Sequence, residues 1–160
     1  MILCGTGHRP NKLGGYGQDV FDRLVALAER HLLELIPELV ISGMALGWDQ
    51  ALAQAAVNLK IPFHAYIPFA GQEGRWPKQS QQLFYQLRVA ADKRIHTSDG
   101  GYAPYKMQMR NRRMVDASSL VLALWDGSSG GTANCVAYAS KTGTEILNIW
   151  DEWNESPSSV

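Results

Sequence analysis

Short apolar runs alternate with longer stretches of helical periodicity from one end of the chain to the other. The runs fall at residues 1–4, 39–41, 62–68, 94–97, 120–125 and 145–150. Between them, apolar residues recur three and four apart. Residues 18–33 carry Val20, Phe21, Leu24, Leu27 and Ala28, residues 49–59 carry Ala51, Leu52, Ala55, Ala56 and Leu59, and residues 78–91 carry Leu83, Phe84, Leu87 and Ala91. That spacing lays one apolar stripe along each helix. Residues 105–118 and 132–141 read as two further helices, the second stopped by Gly143, while Pro37 closes the first helical unit. The runs are apolar at successive positions, so both faces of each strand need cover. Strands covered on both faces and joined by helices build a parallel sheet. The pattern therefore predicts an α/β fold, a Rossmann-like three-layer domain with a mainly parallel sheet flanked by helices. One domain spans 1–150, and a polar C-terminal tail, 151–160, is expected to fray.

Composition narrows the classes. A chain of 160 residues with 46% hydrophobic content suits one globular domain with its own core. Lys plus Arg number 15 and Asp plus Glu number 15, so the formal net charge is zero. A protein that coats DNA needs a basic excess to neutralise phosphates, which argues against nucleic acid as a partner and leaves room for a local basic site. No apolar run reaches the roughly 18 residues of a membrane span, and the opening MILCGTGHRP has no basic leader and long apolar core. Cys4 and Cys135 stand in no metal-binding spacing and read as reduced, buried thiols. The expectation is a cytoplasmic protein with no membrane partner, no metal and no cofactor. No Walker loop, HExxH helix or Ser/His/Asp order is present.

The candidate chemistry sits at strand-to-helix junctions, which in a parallel sheet lie together beyond the carboxyl ends of the strands. The last is the most informative: the run at 120–125 stops at Asp126 and Gly127, and Ser128, Ser129, Gly130, Gly131 and Thr132 lead into a helix. A glycine loop at a helix start aims backbone N–H groups at an anion, usually a phosphate, with Thr132 expected to cap the helix. The first junction is Gly5-Thr6-Gly7-His8-Arg9-Pro10. Here glycines let the backbone approach a ligand, and Arg9 can grip a phosphate through two N–H groups. The middle junction runs from Ser42 and Gly43 to Trp48 and Asp49. Asp49 reads either as a plain N-cap or as a partner for a ribose hydroxyl, and Trp48 either stacks on a base or seals the helix. On the helix before the last strand, Arg110 and Asn111 are assigned to the site, whereas Arg112 and Arg113 read as a solvated face. Tyr66, Pro68, Phe69, Trp76 and Tyr102 lie near the same sheet edge, placed either to sandwich a base or to form a lid.

Four segments together, GTGHRP at 5–10, SGMALGWDQ at 42–50, RNRRMVD at 110–116 and WDGSSGGTANCVAYA at 125–139, resemble the SLOG superfamily of Rossmann-like domains. That superfamily includes the DprA DNA-processing proteins, the LOG phosphoribohydrolases and the YpsA-like proteins, and the chain is most similar to the YpsA-like branch. The resemblance implies a sheet-edge pocket for a nucleotide or a nucleotide-derived ligand of ADP-ribose or NAD type, often in a homodimer or higher homo-oligomer. It also implies two alternatives: a nucleoside monophosphate phosphoribohydrolase, and a DNA-binding module of DprA type. One departure bears on catalysis. With the threonine of the LOG motif PGGxGTxxE set on Thr132, Cys135 stands where LOG enzymes carry their catalytic glutamate. Arg110 matches the LOG arginine, which leaves Arg110 and Asp49 as the catalytic candidates, with Glu145 a further carboxylate from elsewhere.

Overall fold

The computed structural model describes residues 1–155. Six strands form one sheet: β1 (Ile2–Gly7), β2 (Leu39–Ser42), β3 (Phe63–Ile67), β4 (Lys93–His96), β5 (Leu120–Leu124) and β6 (Glu145–Asn148). Their order is β4-β3-β2-β1-β5-β6, and every pairing is parallel. The connecting helices are α1 (Gln18–Leu35), α2 (Trp48–Asn58), α3 (Lys78–Ala90), α4 (Pro104–Asp116) and α5 (Gly131–Thr142). The expected α/β three-layer architecture is what the chain adopts. The first helix runs two residues past its predicted end, and closes where Ile36 turns left-handed (φ 48°) and donates to the Leu32 carbonyl just ahead of Pro37.

Two apolar cores sit on opposite faces of the sheet, and strand alternation divides them. Leu120, Leu122 and Leu124 join Leu3, Val40 and Phe63 beneath α1, α2 and α3. Val121 points the other way, with Cys4 and Ile41, against Met114 and Val115 of α4 and Cys135 and Ala139 of α5. Side chains pointing alternately to the two faces are the two-residue period of a strand doubly covered. The chain fills the sheet outward from β1 through β2 and β3 to β4, then returns to β5 on the other side of β1. The switch point lies between β1 and β5. Their register, Leu3 opposite Leu120 through Gly7 opposite Leu124, leaves both carboxyl ends level, and the loops leaving them diverge to opposite faces.

The tail departs from expectation. Instead of fraying after Trp150, the chain forms a short helix, α6 (Trp150–Glu155), whose Trp153 is buried. Glu152 accepts from Arg30 at 2.6 Å and meets the His31 ring at 2.8 Å, and the Arg23 guanidinium lies 4.2 Å over the Trp153 ring. Two aromatic residues in a polar stretch outweighed its polarity. The rest of the expected tail, 156–160, lies outside the described residues.

Candidate functional site

A cleft of about 310 Å3 opens at the switch point. Its lining comes from four places: Thr6 to Arg9 at and just past the end of β1, Ala45 and Asp49 from the β2–α2 junction, Arg110 and Asn111 from α4, and Ser128 to Thr132 before and into α5. Those elements bring most of the sequence-predicted residues together. Gly5, Ser42, Gly43, Asp126 and Gly127 do not line it, and each has a different place.

Gly5 and Gly7 are needed by the protein interior. A Cβ on Gly5 would stand 2.3 Å from a methyl of Leu52, and one on Gly7 would stand 2.4–2.7 Å from three atoms of Trp48. The missing side chains let α2 lie close on β1. Trp48 is fully buried, and its indole N–H donates to the Leu122 carbonyl at 3.3 Å, so it seals the helix against the sheet and stacks on no ligand.

The β2–α2 junction is a bonded scaffold under the cleft. Ser42 Oγ donates to the Asp49 carbonyl at 2.8 Å and accepts from the Met44 N–H at 3.1 Å. Met44, wholly buried, is held left-handed (φ 64°), a costly state for a residue with a side chain. Gly47 (φ 86°) is the N-cap of α2, and a Cβ there would meet the His8 carbonyl at 2.6 Å. Asp49 is therefore not the cap: it is the second residue of the helix, and its Oδ2 accepts from the Ala45 N–H at 3.3 Å. Burial raises its carboxyl from 3.8 to about 6, against the pull of Arg110.

Arg110 is buried, and its role is partly structural. Nη1 donates to the Gly43 carbonyl at 2.6 Å and Nε to Asn111 Oδ1 at 3.1 Å. A Cβ on Gly43 would fall 2.4 Å from Nη1, so a side chain there would displace the buried guanidinium. Burial lowers the guanidinium's affinity for its proton and Asp49 restores part of it. Asn111 Nδ2 reaches the Gly131 carbonyl at 3.4 Å, tying α4 to the start of α5.

The β5–α5 loop is fastened at one end and open at the other. Asp126 Oδ1 lies 2.8 Å from His8 Nε2 and accepts from the Ser128 N–H at 2.9 Å and hydroxyl at 2.5 Å. The Ser128 bonds and the His8 ring hold the Asp126 carboxyl well below the usual carboxylate range. Lys12 Nζ donates to Ser128 Oγ and stands 3.8 Å from Asp126 Oδ2. At the far end, Gly130 is the N-cap of α5 with φ 138°, and no side chain caps the helix. Thr132 lies inside α5, not at its cap. A Cβ added at Gly127, Gly130 or Gly131 would meet nothing within 4 Å.

The aromatic sandwich does not form. Trp76 packs edge-on against Phe84 at 5.6 Å, Phe69 meets Tyr102 at 5.8 Å, and none of the five predicted aromatic-loop residues lines the cleft. Cys135 is buried beneath it, beside the Thr6 hydroxyl, and burial lifts its thiol to about 11. Glu145 lies exposed on β6, away from the cleft lining. Asn11, Lys12 and Met107 line the cleft unforeseen. The only signal for Lys12 was a cation three residues after Arg9 in a glycine-rich loop. Among the described residues, no cluster of His, Cys, Asp or Glu could hold a metal ion and no helix is long and apolar enough to cross a membrane.

The SPbeta prophage-derived protein YoqJ of Bacillus subtilis is 31% identical over 152 residues, covering 83% of this chain and 88% of that protein. A UPF0398 protein of Oceanobacillus iheyensis is 27% identical over 142 residues, covering 82% and 77%. Among solved structures, DNA processing protein A of Streptococcus pneumoniae superposes with a TM-score of 0.64 at 18% identity, over 96% of this chain. This chain spans only 53% of that protein's length. The molybdenum cofactor carrier protein of Chlamydomonas reinhardtii superposes with a TM-score of 0.61 at 15% identity, over 96% of this chain and 80% of that one. Such likenesses establish the fold alone. The YpsA family model, described as the YspA SLOG family, matches residues 3–148, and the chain belongs to that family.

Proposed function

We propose that the switch-point cleft binds a nucleotide or nucleotide-derived ligand, with a phosphate seated at the start of α5. The observation that carries this reading is the uncapped N-terminus of α5, opening beside Arg9, Lys12 and Arg110 in one cleft. The first N–H groups of a helix lack intrahelical acceptors and lie at the positive end of its dipole. Arg9 and Arg110 add to that field, with Lys12 beside them partly offset by Asp126 at 3.8 Å. Asp49, at the cleft floor, is the acceptor for a sugar hydroxyl. Three structural neighbours are named for the molybdenum cofactor and one for single-stranded DNA binding, and their low identity carries no ligand over to this cleft.

Calorimetric titration tests it, with nucleoside monophosphates, nucleoside diphosphates, NAD and ADP-ribose against the wild type and Gly131→Trp. The wild type is expected to bind at least one member of the panel and the variant to lose it, because an indole at Gly131 crowds the helix start. No binding by the wild type, or equal binding by both proteins, overturns the reading.

A second reading, hydrolysis of the N-glycosidic bond, has one observation in its favour. A buried carboxyl that titrates near 6 can hold or release a proton at neutral pH, as a general acid or base must. Water would add to the anomeric carbon while the carbon–nitrogen bond breaks, the departing base would take a proton from Asp49, and the proton released by the water would restore the Asp49 carboxyl. Incubation with nucleoside monophosphates reads this out as free base, expected from the wild type and abolished in Asp49→Asn. Absence of free base leaves binding alone.

A further inference from the structure

A second hollow, a groove of about 440 Å3, lies among the helices α1, α2 and α3, apart from the cleft. Val20, Leu24 and Val25 of α1, with Leu46 and Leu83, give it an apolar bed. Two rows of polar residues border that bed: Gln18, Asp22 and Glu29 on α1, and Gln50, Gln54 and Asn58 on α2.

The amides of both rows turn their nitrogens to the protein. Gln18 Nε2 donates to Asp22 Oδ1 at 2.8 Å, Gln54 Nε2 to Asn58 Oδ1 at 2.8 Å, and Asn58 Nδ2 to Glu29 Oε1 at 2.9 Å. Gln50 is the deepest of them, 2% exposed, and its Nε2 donates to the Ser80 carbonyl at 3.1 Å. A carbonyl can only accept, so that bond fixes which end of the Gln50 amide faces α3. Its Oε1 meets no protein donor among the described residues, and unlike Gln72 Oε1 it is not shut off from solvent, so it opens on the groove. A buried amide that offers its acceptor to a hollow calls for a donor there.

Charge points the same way. No Lys, Arg or His lines the groove, and neither Asp22 nor Glu29 has an ion pair within 4 Å among the described residues. The cations next to them in sequence are engaged elsewhere: Arg23 stacks on Trp153 and Arg30 bonds Glu152. Carboxylates at an open groove would by themselves draw any cation. Gln50 narrows the choice, because an acceptor set deep against an apolar bed is matched by an N–H on an aliphatic stem rather than by a hydrated inorganic ion.

Spacing then sets the length of the ligand. Asp22 and Glu29 are seven residues apart, just under two turns, so they share a face about 10 Å apart along the axis. Both α1 and α2 link parallel strands and therefore run in the same direction. The Glu29–Asn58 contact puts the end of α2 beside Glu29, and Gln50, about two turns earlier, falls level with Asp22. Each end of the groove thus offers a carboxylate and an amide oxygen. Nine single bonds join the terminal nitrogens of spermidine, as many as three residues of extended backbone, and span about 10–11 Å. The five bonds of putrescine span about 6 Å and serve one end at a time.

We propose that the α1–α2 groove binds a linear polyamine of spermidine length. One terminal ammonium sits between Asp22 and Gln50 Oε1, the other between Glu29 and Gln54 Oε1, and the carbon chain lies on the apolar bed. The site is independent of the cleft reading.

Calorimetric titration at low salt with spermidine, putrescine and trilysine tests it. Spermidine is expected to bind about fivefold more tightly than putrescine, the effect of one further solvent-screened ion pair. The Asp22→Asn/Glu29→Gln double variant is expected to abolish that advantage. Gln50→Leu, its fold checked by thermal melting, is expected to weaken spermidine about tenfold, the effect of one hydrogen bond to a charged group. No binding of spermidine, or equal affinity for spermidine and putrescine, overturns the site. A folded Gln50→Leu that binds as the wild type does also overturns it, leaving only counter-ion attraction to surface carboxylates. Should Gln50→Leu fail to fold, the acidic double variant decides, and a retained spermidine advantage overturns the site. Trilysine that outcompetes spermidine and loses its affinity in the same variants overturns the polyamine assignment in favour of a basic peptide segment. Nucleotide binding, read separately with Gly131→Trp, stands or falls apart from all of these outcomes.

Discussion

The floor beneath the cleft and the rim around it are built from the same residue types and do opposite things. On the floor, Gly5, Gly7 and Gly43 lack side chains because Leu52, Trp48 and Arg110 occupy the space a Cβ would need. On the rim, Gly130 and Gly131 face open space. Polar residues divide the same way. Ser42 and Asp49 are buried and bonded to backbone, whereas Arg9 is exposed and the start of α5 is uncapped. A glycine that admits protein is a stability residue, and a glycine that faces open space is available to a ligand. The two can be told apart by substitution, because floor changes should appear in unfolding and rim changes in binding.

The largest effect is expected at Gly7. Valine there drives its Cβ into the indole of Trp48, which is wholly buried between α2 and the sheet and cannot retreat. Overpacking of this kind is expected to cost about 3 kcal/mol, read from the urea midpoint by tryptophan fluorescence. A loss below about 0.5 kcal/mol would remove Gly7 from the floor and return it to the ligand-facing class.

Asp49 gives the next effect, with a sign opposite to that of most carboxylates. Its folded value, about 6, lies above its ordinary 3.8, because burial penalises the charge more than Arg110 and the Ala45 N–H relieve it. Between those values the folded state keeps a proton the unfolded state has released. The stability this group contributes is present below pH 4 and is lost as pH rises through about 6. The loss amounts to roughly 3 kcal/mol at most. The unfolding free energy of wild type minus that of Asp49→Asn is expected to fall across pH 4–6 and then level off. Asp126, on the rim side, runs the other way: its lowered value adds stability above the ordinary carboxylate range that is lost in acid. A difference profile that rises with pH would show that Asp49 is a paired surface-like carboxylate rather than a buried floor residue.

These contrasts also mark where the sequence was legible. Doubly apolar runs such as Leu120 to Leu124 are read from residue type alone, and the parallel sheet follows from them. Its carboxyl edge then gathers Thr6, Arg9, Asp49, Arg110 and the Gly130–Thr132 turn without any knowledge of contacts. What a glycine faces is not a property of its own position. It depends on which side chain from another element fills or leaves the space, and Trp48 and Leu52 lie more than forty residues from Gly5 and Gly7. The fastening of Asp126 to His8 is likewise a meeting of residues 118 positions apart. The misplaced caps have a local cause: Gly47 and Gly130 start their helices with positive φ angles that favour glycine, so Asp49 and Thr132 fall two positions inside the caps. The aromatic loop residues were read from proximity in sequence to the sheet edge, and apolar partners such as Phe84 drew Trp76 away from it.

The rim gives smaller effects that separate its two glycines. Gly130, at φ 138°, occupies a region that side chains rarely adopt, so Gly130→Ala is expected to cost about 1 kcal/mol even though the added methyl meets nothing. Thermal melting checks this.

Gly131 is the finest discriminator. It is the first residue of α5, it is exposed, and it is not among the glycines with positive φ. Alanine can take its backbone conformation without strain and loses less freedom on folding, so Gly131→Ala is expected to stabilise the protein by roughly 0.5 kcal/mol. The same methyl stands at the helix start, where a phosphate is proposed to approach the backbone. A melt that rises while nucleotide affinity falls would place Gly131 on the rim by both criteria at once. That combination cannot arise from a floor residue, since a floor glycine loses stability before it loses ligand. A melt that falls with affinity would instead mean that the start of α5 is as closely packed as the Trp48 face, and the division between floor and rim would not hold at the place where it matters most for binding.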